Sequence, residues 1–285
     1  MKPIVLIWKN INNKCMQKIF FLNPIFLALV MFLTSCVTFP NCSGSQLPPE
    51  LQTAEETEWE TVSPFIQRYD YRNSKMDYHI VCIDLNAKWK IVSYPEKKGW
   101  VRPVSVGSFA RRSNSDIAIN ANPFLFTSRI IWWSKIKPIG VCRTDSRDVS
   151  AFEPRFCSLS FYKDEDGTYR AEIEDSQDML NEKNPIHAYG GFFTVYRDGK
   201  VYEFQRINDV RSAAAVSDNG KKLYLMVGKN LSFEDTAEIF KALGCDAAME
   251  FDGGSSSQMT VNKRYVFFNF PPRKVASVFG LRLLK

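Results

Sequence analysis

AAMEFDGGSSSQM, residues 247–259, is the stretch from which the rest of the chain is read. Its first five residues form a mostly apolar run of the length of a buried strand, which stops at Asp252-Gly253-Gly254. Glycine reaches backbone angles closed to other residues, so the chain can bend sharply at this point. A carboxylate, three hydroxyls and an amide follow at Asp252, Ser255, Ser256, Ser257 and Gln258. A strand that ends in such a corner makes a pocket floor: its N–H groups can receive an anion and its carboxylate can act on a substrate. The same residues also fit an ordinary turn, because Asp-Gly is common turn chemistry. The flanking chain decides between the two.

Upstream, Ser232 is placed to cap a helix, with Asp235 three residues on. Phe233, Ala237, Ile239, Phe240 and Leu243 keep helical spacing, and Gly244 ends the helix just before the opening strand. Earlier still come hairpins: 213–216 with 222–227 about Asp218-Asn219-Gly220, 194–196 with 201–204 about Asp198-Gly199, and 156–163 with 168–173 about Asp166-Gly167. Residues 78–85 and 88–94 read as a further hairpin joined by Asn86-Ala87, 106–112 as a short helix, and 174–186 as an acidic connector. Residues 116–120 form a strand that ends at a second corner, Asn120-Ala121-Asn122-Pro123, and 275–284 form the last strand. Trp132 and Trp133 are expected in the core. The fold expected from this tally is α+β: a single domain with a mixed, mostly antiparallel sheet of hairpins and few helices. The chain has no G-x-G-x-x-G after a strand, no Walker loop and no G-x-S-x-G.

The N-terminus indicates export. Residues 19–32 are almost wholly apolar, follow Lys14 and Lys18, and are too few for a comfortable membrane span. Leu33-Thr34-Ser35-Cys36 resembles the lipobox of bacterial lipoproteins, in which the cysteine is acylated. Residues 1–35 are therefore expected to be a signal peptide, with Met16 as an alternative start, and Cys36 a lipidation site. Residues 36–62, with Pro40, Gly44, Pro48, Pro49 and an acidic run, read as a tether, and 63–285 as the folded domain. The expected location is the bacterial cell envelope (outer membrane or cell surface), with the membrane as a partner through the lipid anchor. Lys and Arg number 37 against 31 Asp and Glu, and they are dispersed, which argues against nucleic-acid binding. Seven cysteines lack CxxC or Cys/His ligand spacing, so no zinc site is expected; Cys82 and Cys245 read as buried thiols.

The order of corners resembles the phosphodiester glycosidase family from about residue 78 to 284. Residues 118–124 (AINANPF) are similar to that family's Asn-Gly-Gly-Tyr-Phe corner, and 188–192 (AYGGF) to its glycine-rich strand entry. Arg211-Ser212, the Asp252-Gly253-Gly254-Ser255 signature and Arg273-Lys274-Val275 complete the likeness. Asn122-Pro123 and Ser255 stand where the family carries Gly-Tyr and a third glycine.

The resemblance implies hydrolysis of a sugar-1-phosphodiester at the anomeric carbon, releasing free sugar and a phosphomonoester. Phosphate is already a stabilised leaving anion, so the site needs anion binding and a group that activates water. Asp252 is the first candidate for base or nucleophile and Glu250 the second, with Arg211 in the catalytic set. Arg211 and Arg273 can clamp phosphate, Gly253, Gly254, Ser255 and Ser256 can cradle it, and Asn120, Gly190 and Gly191 line the substrate. His187 is a minor candidate. No cofactor is expected, although Asp252 and Glu250 are of the type that ligates a divalent cation. The departures at Asn122, Pro123 and Ser255 leave a second reading: a surface lipoprotein that binds glycan or anion without catalysis.

Overall fold

The computed structural model describes residues 59–126 and 135–284. Cys36, the signal peptide, most of the tether and the Trp132-Trp133 pair lie outside the described residues. Three antiparallel sheets and one small ribbon make up the domain, and the helices are few and short. The α+β expectation therefore holds.

The largest sheet has eight strands in the order Glu60–Ser63, Ile66–Arg72, Asp77–Asp84, Lys222–Leu231, Asp209–Ser217, Ala247–Glu250, Thr194–Arg197 and Lys200–Val201. Glu60–Ser63, whose first three residues composition assigns to the tether, forms its edge strand on Ile66–Arg72. A second sheet runs Arg264–Phe268, Gln258–Val261, Ile117–Asn120, Val278–Leu283 and Trp89–Tyr94. The third runs Tyr169–Glu174, Ser158–Lys163, His187–Gly190, Cys142–Thr144 and Arg147–Ser150. Phe124–Phe126 pairs with Ile136–Pro138 as the ribbon.

All three sheets contribute one face to a shared core. Val81, Ile83 and Leu225 come from the first, Ile119, Phe279 and Leu281 from the second, and Leu159, Phe161 and Tyr189 from the third. Tyr189 stacks on Phe279 with ring centres 4.4 Å apart, so the second and third sheets meet ring on ring. The large sheet is buried on its other face as well. Ile80, Ala213, Ala215 and Met226 pack there against Ala237, Ile239 and Phe240 of the helix Phe233–Ala242. This helix begins as the spacing requires: Ser232 and Asp235 close a capping box, and Gly244 takes a left-handed φ of 70° beyond its end.

The hairpin expected from 78–85 and 88–94 does not form. Asp77–Asp84 pairs with Ile66–Arg72 and Lys222–Leu231 in the large sheet, whereas Trp89–Tyr94 pairs with Val278–Leu283 in the second. The Trp89 indole donates to Asp84 O at 2.8 Å and holds the chain as it crosses between sheets. Each strand buries more apolar surface against its own sheet than a two-stranded ribbon offers. The connector 174–186 folds into short helical turns at Gln177–Met179 and Leu180–Lys183. The last strand starts at Val278, after a segment that bridges Val275 to Val104. The described cysteines Cys82, Cys142, Cys157 and Cys245 are free thiols.

Candidate active site

Residues 251–257 carry the chain from the large sheet to the second, because Ala247–Glu250 belongs to the first and Gln258–Val261 to the second. Strand pairing ends at Glu250. Phe251 N still donates to Ser212 O at 2.8 Å, but Asp252 N donates to Ala121 O at 2.9 Å, across the gap between sheets. Gly254 takes a positive φ of 59°, which turns the backbone into one 3-10 turn over Gly254–Ser256. A side chain at Gly253 would stand 2.8 Å from Val210 O, so only glycine passes there. Among the described residues, the N–H groups of Gly253, Gly254 and Ser255 donate to no protein acceptor.

One amide organises this crossing. Asn120 Nδ2 donates to Asp252 O at 2.6 Å, while its Oδ1 accepts from Ser212 Oγ and Gln258 N, each at 2.9 Å. Asn120 is buried and joins the large sheet, the second sheet and the corner. Asn122 is its counterpart two residues on. Its Nδ2 donates to Val141 O at 2.7 Å and Ile139 O at 3.1 Å, and its Oδ1 accepts from Ser277 Oγ at 2.8 Å. Of the 190–191 pair, Gly190 packs on the Asn122 brace and Gly191 on the strand end at Glu250. A side-chain carbon at Gly190 would meet Asn122 Nδ2 at 2.8 Å, and one at Gly191 would meet Glu250 O at 2.2 Å. Asn120, Gly190 and Gly191 thus hold the backbone beneath the corner.

The corner itself gathers Asp252, Ser255, Ser256 and Arg273. Burial pushes the Asp252 carboxyl up to about 6, against the opposing pull of the Ser256 hydroxyl and the Arg273 cation. The Ser256 hydroxyl faces this carboxyl without closing a full hydrogen bond. Arg273 Nη1 donates to Ser255 Oγ at 2.7 Å, and its guanidinium lies over the rings of Phe124 and Phe126 at 5.1 and 5.5 Å. Ser255 therefore positions the arginine at the mouth of the corner.

Glu250 and Arg211 form a separate group. Glu250 sits directly opposite Ala213, so both face the helix Phe233–Ala242. Glu250 is only 1% exposed, and neither carboxyl oxygen has a hydrogen-bond partner. Burial pushes it up to about 8, with the Asp209 carboxylate adding to the rise and Arg211 and the Thr236 hydroxyl opposing it. The Thr236 proton is directed at Ser232 O, 3.1 Å away. Arg211 is fixed by Leu231 O at 3.0 Å and Ile207 O at 2.5 Å, and stacks on Phe233 at 3.7 Å. The alternation that would put Glu250 and Asp252 on one face breaks at the strand end, which gives the two carboxyls different neighbours. His187 is buried, and burial lowers it to about 4, so it is neutral at pH 7.

Asp209 and Thr236 were not singled out from the sequence. Asp209 precedes Arg211 by two residues in one strand, and the register of that strand shifts between them. Its carboxylate also lies beside Gly254, 3.8 Å from where a side-chain carbon would stand. Thr236 is brought in by the helix and left no local signal. Two surface cavities of about 490 and 520 Å3 lie elsewhere, the first lined by Arg170, Glu174 and Arg197, the second by Lys98, Lys137 and Phe152. The site is identified by its chemistry and not by cavity size. Among the described residues no group of three or more acidic, His or Cys side chains is gathered as metal ligands.

The fold has known relatives. A hypothetical protein from Synechocystis superposes with a TM-score of 0.61 at 14% identity, over 84% of this chain and 64% of that one. The catalytic domain of zebrafish N-acetylglucosamine-1-phosphodiester alpha-N-acetylglucosaminidase, auto-inhibited by its pro-peptide, superposes with a TM-score of 0.58 at 17% identity, over 78% of this chain and 85% of that one. A protein of Burkholderia pseudomallei gives 0.57 at 12% identity, over 73% and 74%. The chain spans just under two thirds of the Synechocystis protein, and at these identities the likeness concerns the fold. No curated sequence gives a significant match. The family model for phosphodiester glycosidases matches residues 113–282, a span that includes both asparagine braces, the glycine pair, Arg211, the Asp252 corner and Arg273. By that match, which covers more than half its length, the chain belongs to the phosphodiester glycosidase family.

Proposed function

We propose that the protein hydrolyses the glycosidic bond of a sugar-1-phosphodiester, with Asp252 as the group that acts on water or on the anomeric carbon. One observation carries the reading: a half-buried carboxyl titrating near 6 shares a corner with a cation and three N–H groups that no protein acceptor uses. The N–H groups and Arg273 stabilise the phosphate as negative charge gathers on it. Water adds to the anomeric carbon, the C1–O bond breaks, and its electron pair leaves on the phosphate oxygen. The proton from water passes to Asp252 and is then released to solvent or to the departing phosphomonoester. Glu250, neutral at pH 7 and shut off from solvent, supports the strand end together with Arg211 and has no contact with substrate. The membership of the family and the fold shared with the zebrafish enzyme support this assignment.

The sequence features at 19–36 support a location outside the cytoplasm, with the domain anchored through Cys36 and held off the envelope surface by the following residues. Metabolic labelling with a radioactive fatty acid tests this: the native protein takes up label and Cys36→Ser does not.

The reaction requires Asp252 ionised. Turnover per encounter, kcat/KM, is therefore expected to rise about tenfold per pH unit below about 6 and to level off above it. The profile is measured as free sugar released from an N-acetylglucosamine-1-phosphodiester between pH 4.5 and 8. A rate that is flat through pH 5–7 contradicts the role given to Asp252. Retention of the diester unchanged by the protein, with no product after long incubation, would instead favour binding without catalysis, the reading left open by Ser255.

A further inference from the structure

Exposed apolar side chains are normal when scattered, and informative when they gather at one place. Among the described residues, nine large hydrophobic side chains are exposed, and Phe126, Phe268 and Phe270 among them flank the Asp252 corner. Two independent contacts put them there. On one flank Phe124 and Phe126 meet edge to face, 5.3 Å apart, and carry the Arg273 guanidinium on their rings. On the other flank Asn269 Nδ2 donates to Gly254 O at 2.9 Å, and Asn269 stands between Phe268 and Phe270 in the chain. Phe270 is 89% exposed, followed by Pro271-Pro272 and then Arg273 itself.

Arg273 is thus the joint between two surfaces of opposite character. One side of its guanidinium bonds Ser255 of the glycine corner, and its face rests on aromatic rings. A cation stacked on rings keeps its in-plane N–H groups free to bind an anion. A ligand that suits both surfaces has a phosphate at Arg273 and an apolar group directly attached to it.

We propose that the substrate is an amphiphile: a sugar-1-phosphodiester whose alcohol is a long apolar chain, with that chain lying over Phe126 and Phe270. The inference rests on the proposed hydrolysis and adds to it the chemical class of the leaving phosphomonoester. The sugar faces Asp252, the phosphate lies on Arg273 and the unbonded N–H groups, and the alcohol runs outward over the rings. A lipid-anchored enzyme at a membrane surface would meet such a substrate with the chain already held in the bilayer edge.

The test compares methyl and decyl diesters of one sugar-1-phosphate, both kept below the concentration at which the decyl ester forms micelles. Burial of several methylenes on the rings is expected to raise kcat/KM for the decyl ester at least about tenfold, through KM with kcat little changed. In the Phe126→Ser/Phe270→Ser variant the decyl-to-methyl ratio is expected to fall towards about one. A ratio near one in the native protein overturns the proposal. So does a ratio that survives the double substitution. If neither ester is hydrolysed, the reaction assigned above fails, and calorimetry with methyl phosphate and decyl phosphate then decides the inference alone. Decyl phosphate bound at least about tenfold more tightly by the native protein, and not by the variant, supports it; equal binding overturns it. Loss of binding to phosphatidylglycerol vesicles in the variant, with a native ester ratio near one, would make the patch a membrane contact and also overturn it.

Discussion

Asp252→Asn is expected to lower hydrolysis of a sugar-1-phosphodiester by about a thousandfold, within the range that positioned acid–base groups contribute. The substitution is close to isosteric, and the bonds that hold the corner do not involve the carboxyl. Asp252 N donates to Ala121 O and Asp252 O accepts from Asn120 Nδ2, both through the main chain. Gly254 keeps its left-handed angle and Ser255 its hold on Arg273. Circular dichroism and thermal unfolding at pH 7 should therefore match the native protein or show slightly higher stability, since the variant removes a carboxyl that burial disfavours when ionised. Rate loss with retained fold separates a chemical role from a structural one. Native turnover in a folded Asp252→Asn protein contradicts the assignment.

Glu250→Gln is expected to act on stability and not on chemistry. In the unfolded chain this glutamate ionises near its ordinary value of 4.5, whereas burial holds the folded carboxyl neutral up to about 8. Between those values the folded state keeps a proton that the unfolded state has lost. Stability then falls as pH rises from about 4.5 to about 8 and levels off above. A shift of this size corresponds to roughly 3 kcal/mol or more at full ionisation. The glutamine variant has no such slope, so it should match the native protein at pH 4 and exceed it at pH 8.5 by about this same amount, roughly 3 kcal/mol or more. Urea unfolding at the two pH values measures the difference. The same offset at both pH values would mean that Glu250 titrates in the folded state as it does in the unfolded chain, and would contradict the raised value. Arg211 stays in place in either protein, because its bonds run to Leu231 O and Ile207 O and its face rests on Phe233.

Local signals in the sequence set the caps and turns, whereas strand pairing depends on residues far apart in the chain. The helix after Ser232 was legible because its cap, its apolar spacing and its terminal glycine all lie within one short segment. The turn at Asp166-Gly167 was legible for the same reason, and its flanking strands pair in register from Ser158↔Glu174 to Lys163↔Tyr169. Asn86-Ala87 carries similar local chemistry, yet the strands on either side enter different sheets. Which partner a strand takes depends on surface supplied by residues 222–231 and 278–283, far along the chain.

The site divides along the same line. Asp252, Gly253, Gly254 and Ser255 were legible as one corner because a short glycine-bent segment brings them together. The duty of Asn120 was not legible, because its three partners at 212, 252 and 258 lie about a hundred residues away or more. Its type and place at a strand end marked it as special, but only the folded chain shows that it braces two sheets. Glu250 shares a face with Asp252 only while the strand stays regular. The crossing between sheets breaks that phase and turns Glu250 towards Arg211 and the helix. Phe124 and Phe126 acquired meaning only through Arg273, which comes to them from near the far end of the sequence.

Hydrolysis of an N-acetylglucosamine-1-phosphodiester in water enriched with oxygen-18 tests the central claim most directly. Attack at the anomeric carbon with Asp252 as the acting group puts the heavy oxygen in the released sugar and leaves the phosphomonoester unlabelled by mass spectrometry. Label found in the phosphate would place bond cleavage at phosphorus and contradict the account, as would the absence of any product.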